Sequence, residues 1–495
     1  MSNPLALLPL ALAAGEGRIG VAGAAPGETF EAQQLVAAGL TLLQRSAPLV
    51  RALSSRRSAV LLPTSPAFLT ALAASDGRAA VLINPLAAPA EIAFQCTDAD
   101  VGAIFTTTAF AARLPDGIVT VLLDDAPRQA TVIAGGEARV VDLGSHHGLS
   151  LEGERDVPGR DEEAAVVYTS AMRGTPLGAV LSHANLLANA HATVTALSDT
   201  AHEHVLALLP FAHLFGLTVT LSAPLLVGGR VATMERFNPV RAAELLASGV
   251  TQVVGVPAVF HALLTAVERR GVSLRGSALR LCICGGAVLP IDLQARWADV
   301  TGVELREGYG LTEAAPVCLV NRPDRPNVRG AMGTALPGVD VGVFPPARYD
   351  DAASDVAPVA ASLPDGSPGE ICIRGPNVSR GYLGGRAGLP HRGDWLCTGD
   401  EGVRDADGSV RFLGLLKPMF TRNGFNVYPR ELERVVQALP GVADVEVRAV
   451  PEPAKENDIV MRVRGAVTED AVRQWCAQRL SAYKQPSVVE IVPDI

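Results

Sequence analysis

Two segments in the second half of the chain carry residue types suited to binding a nucleotide. The first, Glu307-Gly-Tyr-Gly-Leu-Thr-Glu313, sets a tyrosine between two glycines and follows it with a hydroxyl and a carboxylate. Glycines let the backbone approach a flat base closely, a tyrosine ring can stack on it, and a carboxylate can hold Mg²⁺ through oxygen. The second, Trp395-Leu-Cys-Thr-Gly-Asp400, ends in a carboxylate that can accept two hydroxyl donors in one plane. A simple turn aspartate is the alternative for Asp400.

A third segment, Tyr168-Thr-Ser-Ala-Met-Arg-Gly-Thr-Pro-Leu-Gly178, has the form of a phosphate-binding loop. An apolar strand at residues 164–167 runs into small residues and then into a helical pattern. A loop of this kind points backbone N–H groups outward, where they can hold phosphate. On these residues alone, an ordinary strand–loop–helix turn remains the alternative.

The elements that must position these segments alternate over the first four hundred residues. Short apolar runs such as residues 58–62, 205–209 and 250–256 are typical of strands, and residues 239–247 are typical of a helix. Alternation of this kind predicts parallel strands joined by crossover helices, and hence layered α/β sheets. From about Gly369 the strand patterns become short and are separated by glycines, which predicts an antiparallel sheet.

The last 80 or so residues have a different pattern of predicted elements and form a compact tail. A predicted helix begins at Pro429, two strand patterns follow, and Thr468 caps a further helix. We therefore predict a large domain over residues 1–414 and a small α+β domain over residues 415–495, with a hinge near residues 415–418.

Taken together, these segments resemble the adenylate-forming superfamily, the fold shared by acyl-CoA synthetases. Residues 307–313 and 398–400 match its adenosine-binding motifs, and residues 168–178 match its phosphate loop at most positions. The resemblance implies a large N-terminal domain of layered, mostly parallel α/β sheets with a small antiparallel β sub-domain, followed by a small mobile α+β domain. It also implies an AMP-forming carboxylate ligase that uses ATP, Mg²⁺ and a thiol acceptor, either CoA or the phosphopantetheine of an acyl carrier protein.

The resemblance also implies a role for residues of each segment. Thr312 would donate to the α-phosphate, Glu313 would hold Mg²⁺, and Asp400 would accept from both ribose hydroxyls. His213 follows Pro-Phe-Ala in a second matching segment, and it would line the acyl and thiol pocket, although alone it would be a core residue beside two phenylalanines. The predicted catalytic residues are Thr312, Glu313 and His213. The residues predicted to contact the nucleotide are Thr169, Ser170, Arg173, Gly174, Gly285, Gly286, Ala287, Gly308, Tyr309, Gly310, Thr312 and Asp400.

The phosphate loop departs from the family pattern at the positions that grip phosphate. Ala171, Met172 and Arg173 stand in place of Gly-Thr-Thr, and Leu177 replaces a lysine. Two hydroxyl donors and one cation are lost, and one cation is gained at Arg173. An arginine fork can hold phosphate oxygens, so Arg173 either compensates for these losses or remains a solvated loop residue.

Further departures lie at the hinge and at the end of the chain. Leu415 replaces a ribose-binding arginine, and Pro418 replaces the hinge aspartate. Proline holds the backbone angle φ at about −65°. The catalytic lysine that ends the family pattern is not reached before Ile495. A positioned cation of this kind is worth roughly 10²- to 10³-fold in rate, so we expect impaired or modified adenylation.

Composition limits the classes of function. A net charge of −9 and a pI near 5.6 argue against a nucleic-acid-binding surface, which needs clustered basic residues. The apolar stretch at residues 5–14 is too short to span a bilayer, so we predict no membrane span. Seven cysteines in mostly apolar contexts fit core thiols in a reducing cytoplasm better than metal ligands. Lysine occurs only at Lys417, Lys455 and Lys484.

Three functions remain open on the sequence. The first is an acyl-CoA or acyl-carrier-protein synthetase for a fatty-acid-like carboxylate, because the predicted pocket segments are apolar. The second is an altered enzyme that acts on a preformed acyl-adenylate or thioester. The third is a non-catalytic ligand-binding homologue, since a fold does not fix a function. The apolar residues predicted for the pocket are Phe211, Leu214, Phe215, Val256 and Phe260.

Overall fold

The computed structural model describes most of the chain as three sheets with packed helices, followed by a small α+β unit. The described residues are 8–22, 29–54, 56–75, 77–123, 128–144, 159–169, 174–347, 349, 361–452 and 455–493. No helix among these residues is both long and apolar enough to cross a membrane.

The first sheet has parallel strands at its centre and antiparallel strands at both ends. The central strand Val101–Thr106 is buried at every position, as expected for a strand covered on both faces. In spatial order the strands are Leu177–Ser182, Glu163–Thr169, Ala80–Leu82, Arg57–Leu61, Val101–Thr106, Val119–Leu123, Gln129–Ala134 and Glu137–Asp142. The helices of this half are Leu8–Ala14, Ala32–Arg45, Ala47–Leu53, Ala67–Ala74 and Pro89–Asp98.

The second sheet is also parallel at its centre, and its strand Leu305–Gly310 carries the first adenosine segment. The helix Pro257–Arg270 shows how the sequence sets its elements, because proline opens its first turn and Gly271 ends it at φ 64°. In spatial order the strands are Thr334–Ala335, Val317–Val320, Leu305–Gly310, Leu281–Cys284, Gln252–Gly255, His204–Ala207, Arg230–Thr233, Arg18–Val21 and Thr29–Glu31. The helices of this part are His183–Leu197, Ala223–Leu226, Pro239–Ala247, Pro257–Arg270 and Ile291–Thr301.

The third sheet is antiparallel, as predicted, but it begins at Asp340, earlier than the start near Gly369 that the strand patterns indicated. Its strands are Asp340–Phe344, Pro368–Arg374, His391–Arg392, Trp395–Arg404 and Val410–Leu415. The long strand Trp395–Arg404 lies between three neighbours and carries Asp400. This sheet therefore holds the second adenosine segment.

The small unit has a hydrophobic core of its own, which includes Phe420, Leu432 and Ile459. Its elements are a hairpin of Phe420–Arg422 and Phe425–Val427, the helices Pro429–Gln437 and Glu469–Arg479, and a sheet of Val442–Glu452, Glu456–Gly465 and Val488–Ile491. Thr468 caps the second helix, as predicted, by accepting from the Ala471 amide at 3.2 Å. The predicted fold class is confirmed, while the domain boundary at residue 414 stays a prediction.

Candidate active site

A cavity of about 630 Å³ lies where the large sheets meet the small unit. It opens at the carboxyl ends of the parallel strands Leu281–Cys284 and Leu305–Gly310, the usual position of a ligand site in such sheets. The helix Pro89–Asp98 and residues of the small unit form its other walls. The predicted site residues that line it are Thr169, His213, Gly285, Gly286, Gly308, Tyr309, Gly310 and Thr312.

The two adenosine segments meet at a hydrogen bond. The Tyr309 hydroxyl donates to Oδ2 of Asp400 at 2.7 Å, although the two residues are 91 positions apart. The strand carrying Tyr309 ends at Gly310, where a Cβ would collide with the Pro316 carbonyl oxygen, so a glycine is required for this close approach. Asp400 itself is buried and does not line the cavity. Tyr309 therefore lies between the cavity and Asp400, the residue predicted to bind ribose.

A lysine that was not assigned to the site lies beside Asp400. Lys417 Nζ is 3.2 Å from Asp400 Oδ1 and donates to the Thr398 carbonyl at 2.7 Å. The two paired side chains are only 7% and 10% exposed. Burial alone would lower the pKa of Lys417, but Asp400, Tyr428 and Glu313 raise it, and the net direction is upward. The one available signal was the scarcity of lysine, which left three candidates for any cationic role.

The predicted magnesium ligand is also held by a tyrosine. Glu313 is buried in the short turn Thr312–Ala314, and its Oε1 accepts from the Tyr382 hydroxyl at 2.7 Å. Mg²⁺ takes oxygen ligands and is usually held by one or two carboxylates together with phosphate groups. A single buried carboxylate next to the cavity residue Thr312 fits this use, so Glu313 remains the predicted ligand.

The phosphate loop is described only at its two ends. Thr169 lines the cavity, and Gly174 adopts a left-handed φ of 79° next to the Arg430 carbonyl of the small unit. Ser170 and Arg173 lie outside the described residues. Ala287 follows Gly286 but does not line the cavity. Arg434, which the sequence did not single out, donates to Thr175 Oγ1 at 2.6 Å and brings a cation to this loop from the small unit.

His213 lies at the contact between the large sheets and the small unit. Its ring meets the Phe425 ring edge-on at 6.2 Å between centroids, and Phe425 in turn stacks on Tyr483 at 4.4 Å. Burial lowers the pKa of His213 to about 4. The imidazole is therefore neutral at physiological pH, its Nδ1 accepts from the Phe215 amide at 3.2 Å, and it can act as a wall rather than as a cation.

We expect this neutral histidine to make stability depend on pH. In the unfolded chain a histidine takes up a proton near pH 6.5, whereas folded His213 does so near its pKa of about 4. The stability gained from neutral His213 is thus present above pH ~6.5 and declines as the pH falls toward ~4. Between pH 7.5 and pH 5, urea unfolding of the native protein should lose about 1–2 kcal/mol more than that of His213→Gln. Equal losses in the two proteins would contradict a neutral buried imidazole.

A second buried lysine connects the two parts of the chain. Lys484 Nζ lies 2.6 Å from Glu431 Oε1 and 3.0 Å from Glu91 Oε1. Glu91 belongs to the large-domain helix Pro89–Asp98, and Ser481 of the small unit also donates to it. Burial alone would lower the pKa of Lys484, but Tyr483, Glu431 and Glu91 raise it, and the net direction is upward. Lys484 thus fixes the position of the small unit over the cavity.

One end of the cavity is apolar, but most of the apolar residues predicted to line it lie elsewhere. Phe215 lines the cavity, whereas Phe211 and Leu214 belong to the core of the first half. Phe260 packs edge-on against Trp297 at 5.0 Å, and Val256 packs beneath Gly424. Those four predictions for the pocket wall are corrected because the side chains point into packed layers. The apolar wall is made instead by Leu197, Val219, Ile283, Val317, Val320 and Leu336.

Comparison with known families decides the assignment. Residues 51–383 match the family described as AMP-binding enzyme, and residues 431–495 match the AMP-binding enzyme C-terminal domain. The chain belongs to the AMP-binding enzyme family. As an AMP-binding enzyme, it matches its relatives over both the large sheets and the small unit.

Its relatives include two groups of enzymes that are named for forming CoA thioesters. A long-chain-fatty-acid–CoA ligase of Escherichia coli O157:H7 is 31% identical over 448 residues, which cover 84% of this chain and 77% of the relative. A feruloyl-CoA synthase of an Amycolatopsis species is 32% identical over 416 residues, covering 81% and 82% of the two chains.

Solved structures of the family differ in how well they superpose on this AMP-binding enzyme. A malonyl-CoA ligase bound to methylmalonyl-CoA and AMP gives a TM-score of 0.78 at 26% identity, covering 98% of this chain and 97% of the other. ATP-bound MatB from Rhodopseudomonas palustris, also 26% identical and covering 99% and 96%, gives only 0.67. The chain therefore superposes better on the malonyl-CoA ligase complex than on this MatB structure.

Proposed function

We propose that this AMP-binding enzyme is an AMP-forming acyl-CoA ligase for an apolar, fatty-acid-like carboxylate. One observation carries the proposal: a single cavity joins Tyr309 and Thr312 to an apolar chamber and to His213. A nucleotide, an acyl chain and a thiol each need one of these three surfaces, and here they share one space. The relatives that form long-chain fatty-acyl-CoA and feruloyl-CoA support the same substrate class.

The reaction would proceed in two steps at this cavity. The carboxylate oxygen attacks the α-phosphorus of ATP, pyrophosphate leaves, and an acyl-adenylate forms. The acceptor thiol then attacks the acyl carbon, and AMP leaves. In both steps the protein must hold the nucleoside still, a role that fits Tyr309 as a stacking ring and Asp400 as a ribose acceptor.

Residues at the edge of the cavity would contact the charged phosphate groups and the magnesium ion. Thr312 lines the cavity and fits as a donor to the α-phosphate, and Glu313 fits as the carboxylate for Mg²⁺. When bound, Mg²⁺ neutralises charge on the phosphate oxygens. Neutral His213 faces the acyl and thiol side, next to Phe425 of the small unit. It fits a role in excluding water from this side of the cavity.

A second candidate is an enzyme that acts on a preformed acyl-adenylate or thioester. Leu177 and Leu415 stand where the family pattern has cations. These features favour the second step over the first. A non-catalytic homologue is the remaining alternative. We place the protein in the cytoplasm, with CoA as the proposed acceptor and a carrier protein as the alternative.

The test is to follow both half-reactions separately over a panel of fatty and aromatic acids. Pyrophosphate exchange reports adenylate formation, and release of CoA thioester from a synthetic acyl-adenylate reports the second step. Activity in both assays supports the ligase, and thioester release alone supports the second candidate. If the folded protein shows neither activity and binds no acyl-adenylate mimic by calorimetry, only the non-catalytic homologue remains.

The apolar chamber predicts how chain length is selected. Val219 is 2% exposed and lines the chamber, so Val219→Trp should fill its end. We expect kcat/KM for the longest accepted acid to fall at least about tenfold relative to a shorter one, because each misplaced methylene costs about 1–3 kcal/mol. Steady-state kinetics over a series of saturated acids measures this ratio. Val328→Trp, at a surface position that is 38% exposed, is the matched control, and an equal effect there would contradict the assignment.

A further inference from the structure

Two cysteines of the antiparallel sheet face each other across neighbouring strands. Cys372 in Pro368–Arg374 is the register partner of Cys397 in Trp395–Arg404. Their Sγ atoms are 3.6 Å apart, and both residues are fully buried. All seven cysteines of the chain are free thiols, and these two are in direct sulfur–sulfur contact.

The backbone geometry suits a bond between them. The Cys397 amide donates to the Pro390 carbonyl at 2.9 Å, so it points away from the strand that carries Cys372. Cys372 and Cys397 are thus a non-hydrogen-bonded pair, the kind of antiparallel pair whose Cα atoms are only about 4.5 Å apart. That separation lies within the range of about 4.4–6.8 Å that disulfides span.

A metal site is the competing use of this cluster. The ligand atoms of Glu370, Cys372 and Cys397 all lie within 4.8 Å of one another. The Glu370 carboxylate, however, already accepts from the Gly399 amide at 3.0 Å and the Ala347 amide at 2.7 Å, and also from the Tyr349 hydroxyl. With its oxygens engaged in this way, Glu370 is a poor candidate for a third ligand, and two thiols alone do not make a tetrahedral site.

The two thiols are also unequal, as a reactive pair requires. The hydrogen bond from Cys372 lowers the pKa of Cys397, burial and the charge of Glu370 raise it, and nearby Arg392 lowers it, so that the net direction is downward. Cys397 is accordingly the better nucleophile of the two, because the thiolate is the reactive form. Cys372 is placed to attack it in turn.

We propose that Cys372 and Cys397 are a redox-modification site that closes as a disulfide under hydrogen peroxide. The Cys397 thiolate attacks one peroxide oxygen, hydroxide leaves and is protonated to water, and a sulfenic acid forms. The Cys372 sulfur then loses its proton and attacks the Cys397 sulfur, and the second oxygen leaves as water. Two thiols are oxidised by two electrons and one peroxide is reduced to two waters. A thiol reductant reverses the change by disulfide exchange.

The position of this pair ties it to the nucleotide pocket without depending on the proposed function. Cys397 lies three residues before Asp400 on one strand, and Thr398 between them donates to the Ile371 carbonyl at 2.8 Å. A disulfide would therefore cross-link the strand that carries Asp400 to its neighbour.

The experiment treats the full-length protein with hydrogen peroxide, denatures it, alkylates the free thiols, and maps its peptides by mass spectrometry. We expect a cross-linked peptide pair containing Cys372 and Cys397, which dithiothreitol removes. The melting temperature should rise by about 2 °C or more on oxidation and return on reduction. Cys372→Ser should lose both effects, and Cys476→Ser, which removes a buried thiol of the small unit, should keep them.

Three results would overturn the proposal. The first is peroxide treatment that oxidises other thiols while leaving Cys372 and Cys397 unlinked. The second is a cross-link of either residue to a different cysteine. The third is about one zinc per chain in the purified native protein, lost in Cys372→Ser and kept in Cys476→Ser, which would assign the cluster to a metal. If the serine variants do not fold, the peptide map of the native protein decides alone.

Discussion

Replacing Lys417 by methionine is expected to lower the free energy of unfolding by about 3–5 kcal/mol. The ammonium is buried against Asp400 at 3.2 Å, so its removal leaves a buried carboxylate without its cation. Coulomb attraction and desolvation nearly cancel for an intact buried pair, but a single remaining charge bears the whole desolvation cost. Urea or thermal unfolding monitored by circular dichroism measures the loss.

Two further variants make this expectation specific. Lys455→Met removes the exposed lysine of the same chain, which is 45% exposed and pairs with Asp458 at 3.4 Å, and should cost no more than about 1 kcal/mol. The double variant Lys417→Met with Asp400→Leu removes both charges and should recover much of the loss. The loss in the double variant is compared with the losses in Lys417→Met alone and in Asp400→Leu alone. A double-variant loss equal to the sum of those two losses would show that the pair does not act as a unit.

Replacing Lys484 by methionine is expected to loosen the small unit from the large sheets. The lysine is 6% exposed and touches Glu431 and Glu91, whose side chains are 4% and 13% exposed. Without the ammonium, two buried carboxylates face each other across the interface. Truncating one member of a buried interfacial charge pair costs about 2–5 kcal/mol, and here that cost opposes docking of the small unit.

Calorimetry and limited proteolysis measure this effect. We expect the melt of Lys484→Met to separate into two transitions and protease cleavage near residues 415–419 to become faster. The thioester-forming step should slow together with docking, since Phe425 would no longer meet His213. Lys455→Met is again the matched control. Unchanged cleavage in Lys484→Met would show that other contacts, such as that of Arg434 with Thr175, are sufficient to hold the small unit.

The sequence predicted the parallel sheets from local patterns, and it predicted the meeting of the adenosine segments from the family resemblance. Alternating strand and helix patterns follow from burial on two faces, and they predicted the parallel sheets. Tyr309 and Asp400 were placed at one site because their segments match two adenosine-binding motifs of the family, and their hydroxyl–carboxylate bond agrees with that placement.

Side-chain direction could not be predicted in the same way. Phe211 and Phe260 flank the site in sequence, yet each points into a packed layer rather than into the cavity. An apolar residue in a loop or in the first turn of a helix beside the site has no local signal that distinguishes a pocket from a core. Lys417 and Lys484 were missed as structural cations for a related reason, since their carboxylate partners lie 17 to 393 positions away or come from another element.

The two tyrosine hydroxyls have a consequence for the energetics of nucleotide capture. Asp400 and Glu313 each accept a hydrogen bond from a phenol. In the roles proposed for these two residues, a ribose or a magnesium ion would replace that donor, so the total number of polar contacts would change little and the exchange would yield only a small net gain. Affinity must then come mainly from the base and the phosphates. The acids act chiefly as a filter, because a ligand that displaces a phenol without offering a substitute leaves a buried carboxylate unsatisfied.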